Sequence, residues 1–142
     1  MINFLANLSS SKMKSKSPAH IFISFKTEER MAAFHLKEAL NEAGFKVWWQ
    51  EEIQCGQEWH GEIDKAIVEA GAIIVLWSKQ SMHSQWVKHE ASQAIVRSVY
   101  APVRIEPMEI ESPYDRIQAT DLIKWEGDTK HAGFQNLNKR IS

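Results

Sequence analysis

The chain has 142 residues, a length that suits one domain built around a single core. Its content of 44% apolar, 25% charged and 10% aromatic residues excludes a disordered, collagenous or low-complexity protein. Seventeen Lys and Arg against 18 Asp and Glu leave a formal charge of -1, which argues against a nucleic-acid binder that works by bulk charge.

In chain order, Met1 to Leu8 is a very short apolar run with no basic residues ahead of it. Lys12, Lys14 and Lys16 come afterwards, the wrong order for a signal peptide. Ser9 to Ser17 contains only Ser, Lys and Met, so residues 1–17 read as a flexible leader or linker and 18–142 as the folded domain. No apolar stretch approaches the roughly 18 residues of a membrane-spanning helix, so no membrane partner is expected. The single cysteine, Cys55, excludes an internal disulfide and any multi-cysteine metal site, and it fits a reducing, cytoplasmic setting.

Ile21-Phe22-Ile23-Ser24-Phe25 has the apolar content and length of a buried strand. Thr27 is placed to cap a helix whose apolar stripe is Ala32, Leu36, Ala39, Leu40 and Ala43, with Gly44 at its end. Phe45 to Trp49 predicts a second strand, and Gln50 to Gln57 a polar loop. A second helix presents Trp59, Ile63, Ala66, Ile67 and Ala70 on one face and ends at Gly71. Ala72 to Trp77 predicts a third strand, apolar at every position as when both faces of a sheet are covered. Trp86 to Ser98 predicts a third helix with Val87, Ala91, Ala94 and Ile95 inward. Pro102 to Ile105 predicts a fourth strand begun by its proline. Leu122 to Trp125 predicts a fifth, and Phe134, Leu137 and Ile141 a last helix. Strands alternating with helices imply an α/β domain of three layers, with helices on both faces of a parallel sheet. The helical pattern is still running at Ser142, which predicts a domain cut from a longer protein.

The glycines stand at 44, 56, 61, 71, 127 and 133, so neither GxGxxG nor GxxxxGK[ST] can be written. A glycine-rich phosphate cradle is therefore not expected, which argues against a Rossmann dehydrogenase or a P-loop NTPase. The third strand ends in Trp77-Ser78 rather than in the aspartate of a phosphotransfer receiver. The histidines lack an HExxH spacing, so no metal site is expected. Ser78, Ser81 and Ser84 lie near His83 without a GxSxG elbow, and read as caps and loop hydroxyls. One constellation remains. Trp86 and Glu90, at i and i+4, share a helical face beside the Val87 and Ala91 stripe, where an indole screens a neighbouring carboxylate from water. Such a pair also occurs on ordinary surface helices, and by itself it does not single out a site.

The order of these pieces resembles TIR (Toll/interleukin receptor) domains. Ile21-Phe22-Ile23-Ser24-Phe25, Gly44-Phe45-Lys46-Val47-Trp48-Trp49 and Ile53-Gln54-Cys55-Gly56 are similar to the family's first strand, second strand and following loop. Ile73 to Ser78 looks like its third strand, and Ser84-Gln85-Trp86-Val87-Lys88-His89-Glu90 like its S-x-W-x-x-x-E helix start. Ala101-Pro102-Val103 and Asp121-Leu122 followed by Trp125 agree as well, so the likeness spans about residues 19–142. The Trp-Trp pair resembles bacterial members of the NAD+-hydrolase type.

The resemblance implies a flavodoxin-like five-stranded parallel sheet. It implies either cleavage of NAD+ at the nicotinamide–ribose bond, in an immune or antiphage effector, or a non-catalytic module that signals by docking other TIR domains. On the hydrolase side Glu90 carries over as the catalytic residue. Trp86 would line its cleft, with Ser24, Phe25 and Lys26 as substrate contacts. NAD+ is then substrate, and no cofactor is expected. Nicotinamide leaves its cationic form as a neutral molecule, so one carboxylate suffices where an ordinary glycoside needs two. Asp64 and Glu62 read as solvated charges. The loop carrying Glu51, Glu52, Gly56 and Trp59 corresponds to the segment through which TIR protomers assemble into homo-oligomers or filaments. The chain departs from the family in having Gln50 where an acid commonly follows the second strand. A sensor domain outside this chain and no direct nucleic-acid partner complete the expectation.

Overall fold

A computed structural model describes residues 20–50 and 60–142. The predicted leader and the loop residues Glu51, Glu52, Cys55, Gly56 and Trp59 lie outside the described residues. Five strands form one parallel sheet: β1 (Ile21–Ser24), β2 (Val47–Gln50), β3 (Ala72–Trp77), β4 (Tyr100–Arg104) and β5 (Thr120–Asp121). Four helices alternate with them: α1 (Arg30–Glu42), α2 (His60–Glu69), α3 (Gln85–Val96) and α4 (Ala132–Ile141). The strand order is β2-β1-β3-β4-β5, the flavodoxin-like arrangement. No helix among the described residues is long and apolar enough to cross a membrane.

The period-two alternation of strands divides the core into two layers. Ile21, Ile23, Ile74, Leu76 and Val103 face Leu36 and Leu40 of α1 and Phe134 and Leu137 of α4. Phe22, Ile73, Val75 and Trp77 face Ile67 of α2 and Val87, Ala91 and Ala94 of α3. This double coverage is why Ala72 to Trp77 carries no polar side chain. Full burial of each large aliphatic side chain contributes about 1.5–3 kcal/mol.

Several boundaries differ from the sequence expectation, each for a local reason. Thr27 caps nothing: it opens a 3-10 turn, Thr27–Glu29, and α1 starts behind it with Glu29 at its N-cap. The inward stripe of α1 uses Ala33 with Leu36, Ala39 and Leu40, while Ala43 is exposed. Gly44 ends α1 as expected, at φ +98. Its N–H bonds Asn41 O and the Phe45 N–H bonds Leu40 O, the paired closure of a Schellman motif. That closure occupies Phe45, so β2 begins only at Val47.

Pro102 sits inside β4 rather than at its start. The Ile105 N–H points to Trp77 O, so the N–H groups of alternate residues, the Pro102 position included, point away from β3. β5 begins opposite Val103, leaving no acceptor that Pro102 would have to serve. The fifth strand is Thr120–Asp121; Leu122 and Trp125 are buried in the turn after it. There the Trp125 N–H bonds Leu122 O, and the indole stacks on Phe134 with centroids 5.4 Å apart.

Candidate functional site

The chain runs from β1 outward to β2 and then returns past β1 to β3, so the strand order reverses between β1 and β3. In open parallel sheets the crevice outside the carboxyl ends of strands at such a reversal is where ligands bind. β1 ends in Ser24, whose backbone lies opposite Val75 of β3. Ser24 shares the sheet face of Phe22, toward α3, and is fully buried. Its Oγ donates a hydrogen bond to Oε1 of Glu90, 66 residues later.

Glu90 is carried there by α3. Ser84 forms the N-cap, its Oγ accepting from the Val87 N–H at 3.2 Å, as its reading as a cap expects. Glu90 lies on the inward side of the helix beside Val87 and Ala91, and it is only 1% exposed. Trp86, one turn earlier, is partly buried and packs against the same core layer. The sequence placed the Trp86–Glu90 pair at the edge of the buried stripe; folding puts the carboxylate inside it. A serine hydroxyl fixing one carboxylate oxygen selects a single rotamer and leaves the carboxylate oriented toward the end of β1.

The remaining predicted contacts divide. Lys26 stands two residues beyond β1, is partly exposed, and pairs with Glu28 at 3.4 Å. Phe25 is fully buried in the layer covered by α1 and stacks on Trp49, centroids 5.5 Å apart. Its ring is committed to the core. Ser24 likewise has its hydroxyl committed to Glu90, so its role runs through that carboxylate. Asp64 is exposed on α2, as expected.

Sequence reasoning missed a second glutamate. Oε2 of Glu29 accepts from Ser78 Oγ at 2.8 Å, joining the turn after β1 to the turn after β3. Burial raises its carboxyl above the usual carboxylate range; the Ser78 hydroxyl and the Lys26 backbone N–H pull it down, and Glu28 and Glu106 push it up. Its Oε1 is buried and has no hydrogen-bond partner. The available signal was an acid placed directly between a strand end and a helix, but its partner is 49 residues away. Ser78 and Ser81 brace each other: the Ser78 N–H donates to Ser81 Oγ at 2.8 Å, and the Ser81 N–H to Ser78 Oγ at 3.0 Å.

Among the described residues no group of three or more His, Cys, Asp or Glu is arranged to hold a metal ion. The carboxyl ends of β1 and β3 therefore bring together two serine-held carboxyl groups, Glu90 with Ser24 and Glu29 with Ser78, with the partly exposed Lys26 in the turn after β1 and Trp86 one helical turn before Glu90. That set suits stabilising positive charge on a bound molecule with hydroxyl groups.

Comparison with known proteins gives one consistent picture. A family profile described as "TIR domain" matches residues 21–138. The TMV resistance protein N of Nicotiana glutinosa is 33% identical over 86 residues, covering 58% of this chain but only 8% of that protein. The TIR domain of the Toll-related receptor TRR-2 from Hydra magnipapillata superposes with a TM-score of 0.70 at 19% identity, over 85% of this chain and 96% of that one. The TIR domains of the activated Roq1 resistosome, which recognises the effector XopQ, give 0.63 at 20% identity, over 87% and 99%. A TIR-STING receptor from C. gigas in complex with 2',3'-cGAMP gives 0.72 at 17% identity, over 94% and 42%.

Proposed function

The chain belongs to the TIR domain family, and from that premise we propose that it hydrolyses NAD+ at the nicotinamide–ribose bond, as the effector module of a larger defence or signalling protein. The observation that carries this reading is the Glu90 carboxylate, held by Ser24 at the switch point of the sheet. The pyridinium of NAD+ departs as neutral nicotinamide, and the C–N bond electrons leave with it. Positive charge then grows on the ribose ring, and Glu90 stabilises it while water attacks the anomeric carbon. The products are ADP-ribose, nicotinamide and a proton. No general acid is required for the leaving group, in contrast to ordinary glycosides. Trp86 shields the carboxylate from water, which strengthens its field on the ribose. Lys26, in the turn after β1, offers a charge suited to the pyrophosphate. The setting we propose is cytoplasmic, with other TIR protomers and a sensor domain as partners.

The test is NAD+ consumption by the full chain beside Glu90→Ala. We expect nicotinamide release by the wild type and a loss of at least about 10²-fold in the variant, the scale of removing one preorganised electrostatic group. Turnover that survives the substitution rules out this mechanism. The near-complete burial of Glu90 favours one competing reading, a docking module in which this carboxylate only ties α3 to β1. A folded wild-type chain with no turnover, and a Glu90→Ala variant whose only defect is a lower melting temperature, would select that reading.

A further inference from the structure

Glu29 takes no part in the hydrolytic scheme, yet its placement is costly. It occupies the N-cap of α1, where an acidic side chain ordinarily accepts from the free N–H groups of its own helix. It makes no capping bond. Its Oε2 instead reaches Ser78 Oγ, leaving Oε1 buried without a hydrogen-bond partner. A buried polar atom left unpaired is destabilising and calls for an explanation in function or assembly. Stability alone would favour a side chain that capped its helix.

The bond from Glu29 closes a chain of contacts between the turn after β1 and the turn after β3. On one side the Glu29 N–H donates to Lys26 O at 2.7 Å, which fixes the turn that bears Lys26. On the other, Ser78 and Ser81 exchange hydrogen bonds, and Ser81 Oγ donates to Leu76 O at 3.0 Å at the end of β3. The Ser84 N–H then bonds Ser81 O at 2.9 Å, and Ser84 caps the helix that carries Trp86 and Glu90. Ser78 stands three residues beyond the partner of Ser24, about 10 Å of strand rise. The Ser24–Glu90 pair thus ties α3 to the end of β1, and the Glu29–Ser78 pair ties the turn after β1 to the turn after β3.

We propose that Glu29 is a positioning residue: a strut across the β1/β3 switch point that sets the separation between Lys26 on one wall and Trp86 and Glu90 on the other. A dinucleotide spanning the crevice meets both walls at once only while that separation is held. This inference rests on the NAD+-hydrolase reading for its substrate, though not for its geometry.

The experiment uses the full chain as wild type, Glu29→Ala, Glu29→Gln, Ser78→Ala and the Glu29→Ala/Ser78→Ala double variant. NAD+ kinetics are read together with amide hydrogen exchange over residues 26–30 and 78–84. Each alanine variant is expected to raise KM roughly 10-fold with a much smaller change in kcat, the pattern of lost substrate positioning. The double variant should be no worse than either single one, since both remove the same bond. Glu29→Gln keeps an oxygen that accepts from Ser78 and should stay within about twofold of wild type. Additive KM effects, an unchanged KM, or a glutamine variant as impaired as the alanine one each overturn the strut. If the wild type neither binds nor consumes NAD+, the hydrolase reading alone fails and exchange decides. Faster exchange at residues 81–84 in both alanine variants but not in Glu29→Gln upholds the strut, and unchanged exchange overturns it.

Discussion

Burial holds the Glu29 carboxyl above the usual carboxylate range, and the Ser78 hydroxyl offsets that push only in part. A group whose folded-state pKa lies above its unfolded value supports folding fully below the unfolded value, and that support is lost as pH rises through the folded one. Ionised Glu29 is therefore a cost to the fold at neutral pH. We expect Glu29→Gln to denature at higher urea than the wild type at neutral pH. The gain should be under about 1 kcal/mol, because the group is partly screened by solvent. It should shrink as pH falls below the ordinary carboxylate range; a difference that stays constant in a urea–pH series would mean that Glu29 is not the titrating group. At this scale helix geometry put Trp86 and Glu90 on one face, and the likeness to the S-x-W-x-x-x-E helix start of TIR domains singled the pair out. The sequence hid the partners of Glu29 and Glu90, which are 49 and 66 residues distant. The resemblance implies substrate contacts at both Ser24 and Phe25. The fold turns one onto Glu90 and the other into the core, because successive residues at a strand's end face opposite sides of the sheet.

The helices end by the same device at two places, with different residues in the left-handed position. After α1 it is Gly44, at φ +98; after α3 it is Ser98, at φ 60, with the Ser98 N–H bonding Ile95 O and the Val99 N–H bonding Ala94 O. A non-glycine residue there costs about 1–2 kcal/mol, against roughly 0.5–1 kcal/mol of extra chain entropy for glycine. Ser98→Gly is thus expected to stabilise the domain by about 0.5–1 kcal/mol, read as a higher melting temperature; a lower one would show that the Ser98 side chain contributes more than its backbone costs. The glycine signal made the end of α1 legible, whereas the serine left the end of α3 two residues overextended in the sequence reading. Gly133 is a different case. A Cβ there would stand 2.4 Å from Asp121 O, so α4 packs directly on the backbone of β5. That approach, rather than any strand propensity, accounts for a fifth strand of only two residues. The chain leaves the sheet at Leu122, and Leu122 and Trp125 are buried under α4 instead of extending the ladder.

For the molecule as a whole, the reversal of strand order between β1 and β3 brings Ser24, Lys26, Glu29, Ser78 and Glu90 to the carboxyl ends of those two strands, although they span 67 positions of the chain. The loop named for self-assembly (Glu51, Glu52, Gly56 and Trp59) lies outside the described residues. If protomers complete one another's crevices through it, NAD+ turnover per molecule should rise with protein concentration. A specific activity that stays flat across a dilution series would instead mean that one protomer is sufficient. Sequence by itself determined the α/β class, the three layers, the limits of β3 and the pairing of Trp86 with Glu90. All of these follow from periodicities of two and 3.6 residues and from local steric preferences, which act between near neighbours. Only the tertiary structure decided which serine holds which glutamate, where Pro102 is tolerated, and that the fifth strand yields to α4. Those outcomes depend on strands and helices that are distant in sequence being pressed together, where hydrogen-bond satisfaction and close packing override what any single segment prefers.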